Sequence, residues 1–106
     1  DIRDSPTHEF IKSLYKYGSK IYVHDPIGID KLKSHPTSKL LDEDSFCEDY
    51  IPYLEIVDAI ILITPWNEYL KLPLLLKTYK KIIFDTRGIF DASNFPSAEY
   101  LKVGLK

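Results

Sequence analysis

Lys81-Ile82-Ile83-Phe84-Asp85-Thr86-Arg87-Gly88-Ile89-Phe90-Asp91 is the stretch from which the rest of the chain can be read. Ile82, Ile83 and Phe84 form a short apolar run without polar alternation, the pattern of a strand covered on both faces. An acid, a hydroxyl, a guanidinium and a glycine follow at its carboxyl end. In open α/β sheets, ligands bind just outside the carboxyl ends of the strands. Gly88 lets the backbone turn sharply or approach a ligand closely. Arg87 stands out by composition, because the chain has twelve lysines and only two arginines, Arg3 and Arg87. Lysine supplies the surface charge, which leaves each arginine a role that needs a planar fork, such as a bidentate grip on phosphate or carboxylate. A strand-end arginine paired with Asp85 or Asp91 is the competing reading.

Working outward, residues 58–64 read as a second apolar strand, expected to be central, with Thr64-Pro65-Trp66-Asn67-Glu68 as its carboxyl-end loop. Trp66 there either stacks on a ligand or covers the core. Asn67 suits the cap of a short helix through Leu70, and residues 73–79 read as another helix with Leu74, Leu75 and Leu76 buried. Residues 94–96 form a turn and residues 100–105 a last short strand. Toward the amino terminus, Ser5 caps and Pro6 begins a helix whose Phe10, Ile11, Leu14 and Tyr15 share one face, with Gly18 as its left-handed stop. Residues 20–24 read as a strand ended by Asp25-Pro26. No G-x-G-x-x-G precedes it, so Asp25 reads as a strand-end cap or turn residue rather than a ribose-binding acid. Residues 27–45 form an irregular connection with a short helix near residues 30–33 and a short strand at 39–41. Residues 45–57 carry apolar positions at helical intervals, and Pro52 within them means either that the firm helix begins near Tyr50 or that the segment is kinked. Strands alternating with helices mean an α/β domain with a mostly parallel sheet.

A length of 106 residues fits one domain. A net charge of −2 disfavours nucleic acid and anionic membranes as partners. The longest apolar run is too short to span a bilayer, and no leader pattern is visible. Cys47 is the sole cysteine, so no disulfide framework or zinc cluster is expected, and its acidic neighbour Glu48 disfavours a reactive thiolate. His8, His24 and His35 lack ligand spacing, so no metal is assigned. The opening Asp1-Ile2-Arg3-Asp4 has no strand before it, as expected of a piece cut from a longer protein.

Four segments together resemble the C-terminal domain of the UDP-glucose/GDP-mannose dehydrogenases. Asp1-Ile2-Arg3-Asp4-Ser5-Pro6 is similar to that family's D-x-R-[ED]-S-P turn, and Tyr22-Val23-His24-Asp25-Pro26 to its Y-D-P strand ending. Residues 58–68 are similar to its D-A-[ILV]-x-[ILV]-x-T-x-W-x-E segment, and residues 84–91 to its F-D-x-R-x-[ILV]-x-D strand and loop. The resemblance implies a Rossmann-like three-layer sandwich lacking its first strand here, from a cytoplasmic, usually dimeric enzyme. That enzyme oxidises the C6 alcohol of a nucleotide sugar to a carboxylate in two hydride transfers to NAD. By position, the resemblance makes Arg87 a contact to the nucleotide sugar and Arg3 a contact to the phosphates of NAD. The family's catalytic cysteine, lysine and asparagine belong to upstream domains, so no catalytic residue is expected in this chain and the chain alone is expected to be inactive. A stand-alone nucleotide-binding or regulatory module is the rival reading. A receiver-like or flavodoxin-like domain is a weaker one, and a receiver would need Asp25 and Asp85 to converge in an acidic pocket with a phosphorylatable Asp at a strand end.

Overall fold

The computed structural model describes residues 6–103. The chain forms two compact units, Asp1–Tyr53 and Leu54–Lys106. Arg3 and the Ser5 cap lie outside the described residues.

The first unit begins with helix α1 (Pro6–Lys16), which buries His8 and Ile11. Its stop is as read from sequence: Gly18 has φ of 76°, and Gly18 and Ser19 return their amides to the carbonyls of Tyr15 and Leu14 at 3.0 and 3.1 Å. The apolar face is narrower than expected, because Tyr15 is 53% exposed. Ile11 packs with Ile21 and with Leu32 of α2 (Ile29–Ser34), the short helix expected near residues 30–33. Residues 20–24 do not form the expected strand. Val23 makes a single parallel bridge to Phe46, accepting from the Cys47 amide at 2.8 Å and donating to the Ser45 carbonyl at 2.7 Å. One bridge satisfies one residue, and no longer ladder forms among the described residues. The expected strand at 39–41 is replaced by a 3-10 helix, Pro36–Leu40. The helix expected within 45–57, firm from near Tyr50 or kinked at Pro52, shrinks to one 3-10 turn, Ile51–Tyr53. There Asp49 accepts the Ile51 amide at 3.0 Å, and Pro52 removes a donor that a longer helix would need.

The second unit is an all-parallel, three-stranded sheet in the order β1 (Ala59–Leu62), β2 (Ile82–Asp85), β3 (Glu99–Lys102). Parallel strands joined through helical crossovers make this an α/β, Rossmann-like architecture. The opening stretch is the central strand of the three, and Ile83 is 0% exposed. By contrast, β1 was expected to be central and is an edge of this sheet among the described residues, with Ala59 exposed and Leu62 buried. The crossover between β1 and β2 carries a 3-10 helix, Asn67–Lys71, and α3 (Leu72–Leu75). Trp66, not Asn67, occupies the cap of the former. Pro73 in the first turn suits α3, but only Leu72 and Leu76 of this segment are buried, whereas Leu74 is 68% exposed. The helix expected over 73–79 is therefore shorter, and Tyr79 instead donates its hydroxyl to the Val57 carbonyl at 3.2 Å. The expected turn near residues 94–96 is led by a 3-10 helix, Ala92–Asn94.

Register puts Ile83, Asp85, Tyr100 and Lys102 on one face of the sheet, and Ile82, Phe84 and Leu101 on the other. Ile83→Ala should cost about 3 kcal/mol of unfolding free energy through lost burial and a residual cavity. Ile82→Ala, at a position 38% exposed, should cost less than about 1.5 kcal/mol. Urea denaturation of both variants checks the difference.

Candidate functional site

Because the three strands are parallel, their carboxyl ends share one edge, and the turn that follows β2 is built on it. Thr86 extends the pairing beyond the strand: its amide and hydroxyl both donate to the Leu62 carbonyl, at 3.0 and 2.7 Å. Asp85 then turns the chain. Its Oδ1 accepts the Arg87 amide at 3.1 Å, and its Oδ2 accepts the Phe90 amide at 2.9 Å. Tyr100 Oη lies 2.7 Å from Asp85 Oδ2 and 2.7 Å from the Phe90 carbonyl oxygen, so one phenol ties β3 to both ends of the loop. Asp85 is 0% exposed. Burial alone would raise the pKa of its carboxyl, but the Tyr100 hydroxyl and the amides of Phe90, Ile89 and Arg87 outweigh burial and hold it below the usual carboxylate value. Burial and the Asp85 charge push the Tyr100 phenol up.

The carboxylate suspected of pairing with Arg87 is thus occupied by backbone amides and a phenol. Asp91, the other suspect, caps the 3-10 helix Ala92–Asn94 and accepts both the amide and the hydroxyl of Ser93. The Arg87 residue is exposed, and among the described residues its guanidinium forms no ion pair. Gly88 follows with φ of 64°, a left-handed conformation that glycine adopts without strain. An ideal Cβ on Gly88 would lie 3.0 Å from Lys102 Cε, so the stem of Lys102 runs against this turn. Sequence reading missed both Tyr100 and Lys102. Nothing local marks them, since they reach the turn only through the β2–β3 register.

Trp66, in the loop after β1, is half-buried and holds its amide to the Thr64 carbonyl at 2.9 Å. Asp25, in the first unit, is the turn residue expected: its Oδ1 accepts the amides of Ile27 and Gly28 at 3.0 and 2.7 Å. Asp85 is fully buried and so lacks the accessible oxygen that a receiver's phosphate acceptor requires, while Asp25 closes an Asx turn through Oδ1. Burial first, and Asp44 to a lesser extent, push the Cys47 thiol up. His8 and His35, distant in sequence, stack with ring centroids 3.5 Å apart, and each Nδ1 lies 3.0 Å from the Thr37 hydroxyl. Among the described residues no group of three histidine, cysteine or acidic side chains could hold a metal, and no helix is long and apolar enough to cross a membrane.

A carboxyl with a lowered folded-state pKa contributes stability that is present above its unfolded-state value, about 3.9, and is lost as pH falls through the folded value. Asp85→Asn keeps the shape but sets an NH₂ group against donors, and should cost about 2 kcal/mol near pH 7. The gap between variant and wild type should narrow as pH falls below about 4. Denaturation curves at pH 7 and pH 3 check the sign.

Comparison with known proteins agrees with the motif-bearing segments. The model for the UDP-glucose/GDP-mannose dehydrogenase family, UDP binding domain, matches residues 1–92. The UDP-glucose 6-dehydrogenase of Rickettsia bellii (strain RML369-C) is 35% identical over 114 residues, covering 100% of this chain and 25% of that protein. The UDP-glucose 6-dehydrogenase TuaD of Bacillus subtilis (strain 168) is 29% identical over 105 residues, covering 95% and 22%. A UDP-glucose 6-dehydrogenase of Rhizobium meliloti (strain 1021) is 29% identical over 93 residues, covering 85% and 20%. The chain thus spans a quarter or less of the length of these relatives. No solved structure matches it significantly. With the family model covering most of the sequence, including the strand and turn around Arg87, the chain belongs to the UDP-glucose/GDP-mannose dehydrogenase family and corresponds to its UDP binding domain.

Proposed function

We propose that residues 1–106 form one nucleotide-sugar-binding domain of an NAD-dependent nucleotide-sugar 6-dehydrogenase, in which Arg87 contacts the nucleotide sugar. The observation that carries this reading is the exposed Arg87 side chain, on a turn fixed at the carboxyl edge of a parallel sheet and engaged by neither neighbouring acid. A guanidinium so placed suits a bidentate, charge-assisted grip on phosphate oxygens. The carboxyl edge is also where open α/β sheets take ligands. The relatives' printed names support oxidation of a UDP-sugar at C6 as the parent's reaction.

The chain's own residues do not fit NAD as a whole. None of its four glycines stands in a G-x-G-x-x-G loop, and the amides near Asp85 are already bonded to its carboxylate. NAD therefore falls to upstream domains, with Arg3 as this chain's contribution to its phosphates. The parent is a cytoplasmic homodimer in this reading. The chain by itself binds nucleotide sugar weakly and does not turn it over, because the binding free energy is shared with those domains and drawn on by their closure.

NADH formation by the intact parent across a panel of UDP- and GDP-sugars tests the reading. Activity on one of them is expected, with Arg87→Ala lowering kcat/KM by about 2 kcal/mol or more of transition-state stabilisation. Full activity in that variant would keep the enzyme and remove Arg87 from its site. A folded parent inactive on every sugar would favour the stand-alone binding or regulatory module.

A further inference from the structure

Lys102 lies ten residues beyond the segment that the family model matches, which ends at residue 92. The sheet nevertheless delivers it to the Arg87 turn. It pairs with Asp85 across the β2–β3 register and shares the sheet face of Tyr100 and Asp85. The Val103 amide bonded to the Asp85 carbonyl at 3.0 Å holds this end of β3 in place. From there the lysine stem crosses Gly88: an ideal Cβ on that glycine would stand 3.0 Å from Cε, 3.9 Å from Nζ and 4.0 Å from Cγ of Lys102. The missing side chain of Gly88 therefore serves two ends, the left-handed turn and the passage of a cation over it.

Arg87 thus stands on the turn, and Lys102, at the end of β3, lies against Gly88, the residue next to Arg87. Among the described residues, neither nearby carboxylate forms an ion pair with them. Asp85 is fully buried and bonded to two amides and a phenol. Asp91 is close enough to Lys102 to feel its charge, yet it accepts from the Ser93 amide and hydroxyl rather than from the lysine. Neither cation forms an ion pair among the described residues. Two positive side chains that border the same turn favour an anion that both can reach. An anion with two charged centres divides best between a planar fork and a flexible ammonium.

The geometry points to Lys102 as the second cation of the site, sharing the diphosphate of the nucleotide with Arg87. This rests on the nucleotide-sugar reading and adds to it a reason why a nucleoside diphosphate is preferred over a monophosphate. A monophosphate can be held by the Arg87 fork alone, whereas a diphosphate uses both cations.

The test is calorimetric titration of the intact parent protein with UDP and with UMP, for wild type, Lys102→Gln and Lys102→Arg. Glutamine keeps part of the stem over Gly88 and removes the charge, so a loss cannot be laid to unfolding if the thermal midpoint is unchanged. The expected result is UDP binding weakened about tenfold in Lys102→Gln and largely restored in Lys102→Arg, with UMP binding altered less than about twofold. Wild-type UDP affinity in Lys102→Gln, or equal losses for UDP and UMP, overturns the role of Lys102 and leaves the nucleotide-sugar reading standing. Failure of the wild type to bind either nucleotide overturns that reading and the Lys102 role with it.

Discussion

The Arg87 turn depends on one buried anion. A carboxylate removed from water is strongly unfavourable unless its oxygens are met by donors, and Asp85 is met by the amides of Arg87 and Phe90 and by the phenol of Tyr100. Those three donors come from the turn itself and from the next strand. The same bonds that keep the charge tolerable inside the protein therefore set the path of the chain from residue 85 to residue 90. The geometry of the site and the solvation of Asp85 are one problem with one solution.

This division of labour explains how an acid and an arginine two residues apart avoid neutralising each other. The Asp85 carboxylate points into the fold and binds the backbone of residue 87, while the side chain of that residue remains exposed. An Asp–Arg pair on a surface contributes little and would cover the fork. By holding the amide rather than the guanidinium, Asp85 orients the arginine without competing for it. Preorganisation of this kind would reduce what binding of the proposed nucleotide sugar must spend on ordering the loop.

Much of this was legible in the sequence, and the reasons for what was not are physical. The apolar runs at 59–62 and 82–84 marked two parallel strands, although Ala59 and Ile82 are exposed and the expected cover on both faces is incomplete among the described residues. Gly18 marked the end of α1, and Asp25 marked a turn, since each acts on atoms only a few residues away. Residues 20–24 carried a strand's composition, yet a strand is a relation between two segments, and among the described residues Val23 pairs with Phe46 alone. Residues 45–57 had helical spacing, but Asp49 and Pro52 divert the backbone locally. Arg87 could be singled out by its rarity. Tyr100 and Lys102 could not, because a lysine among twelve and a tyrosine among eight carry no mark of their own. Only the strand register brings them to the Arg87 turn.

The phenol of Tyr100 also fixes when the site comes into being. Residue 85 leaves the ribosome well before residue 100, and until β3 docks beside β2 the Asp85 carboxylate lacks its side-chain donor and the Phe90 carbonyl its partner. The apolar strands can collapse early, but the turn that presents Arg87 is completed by the last strand of the described chain. A nascent or C-terminally clipped polypeptide would keep the motif in its sequence while lacking the shape that the motif encodes.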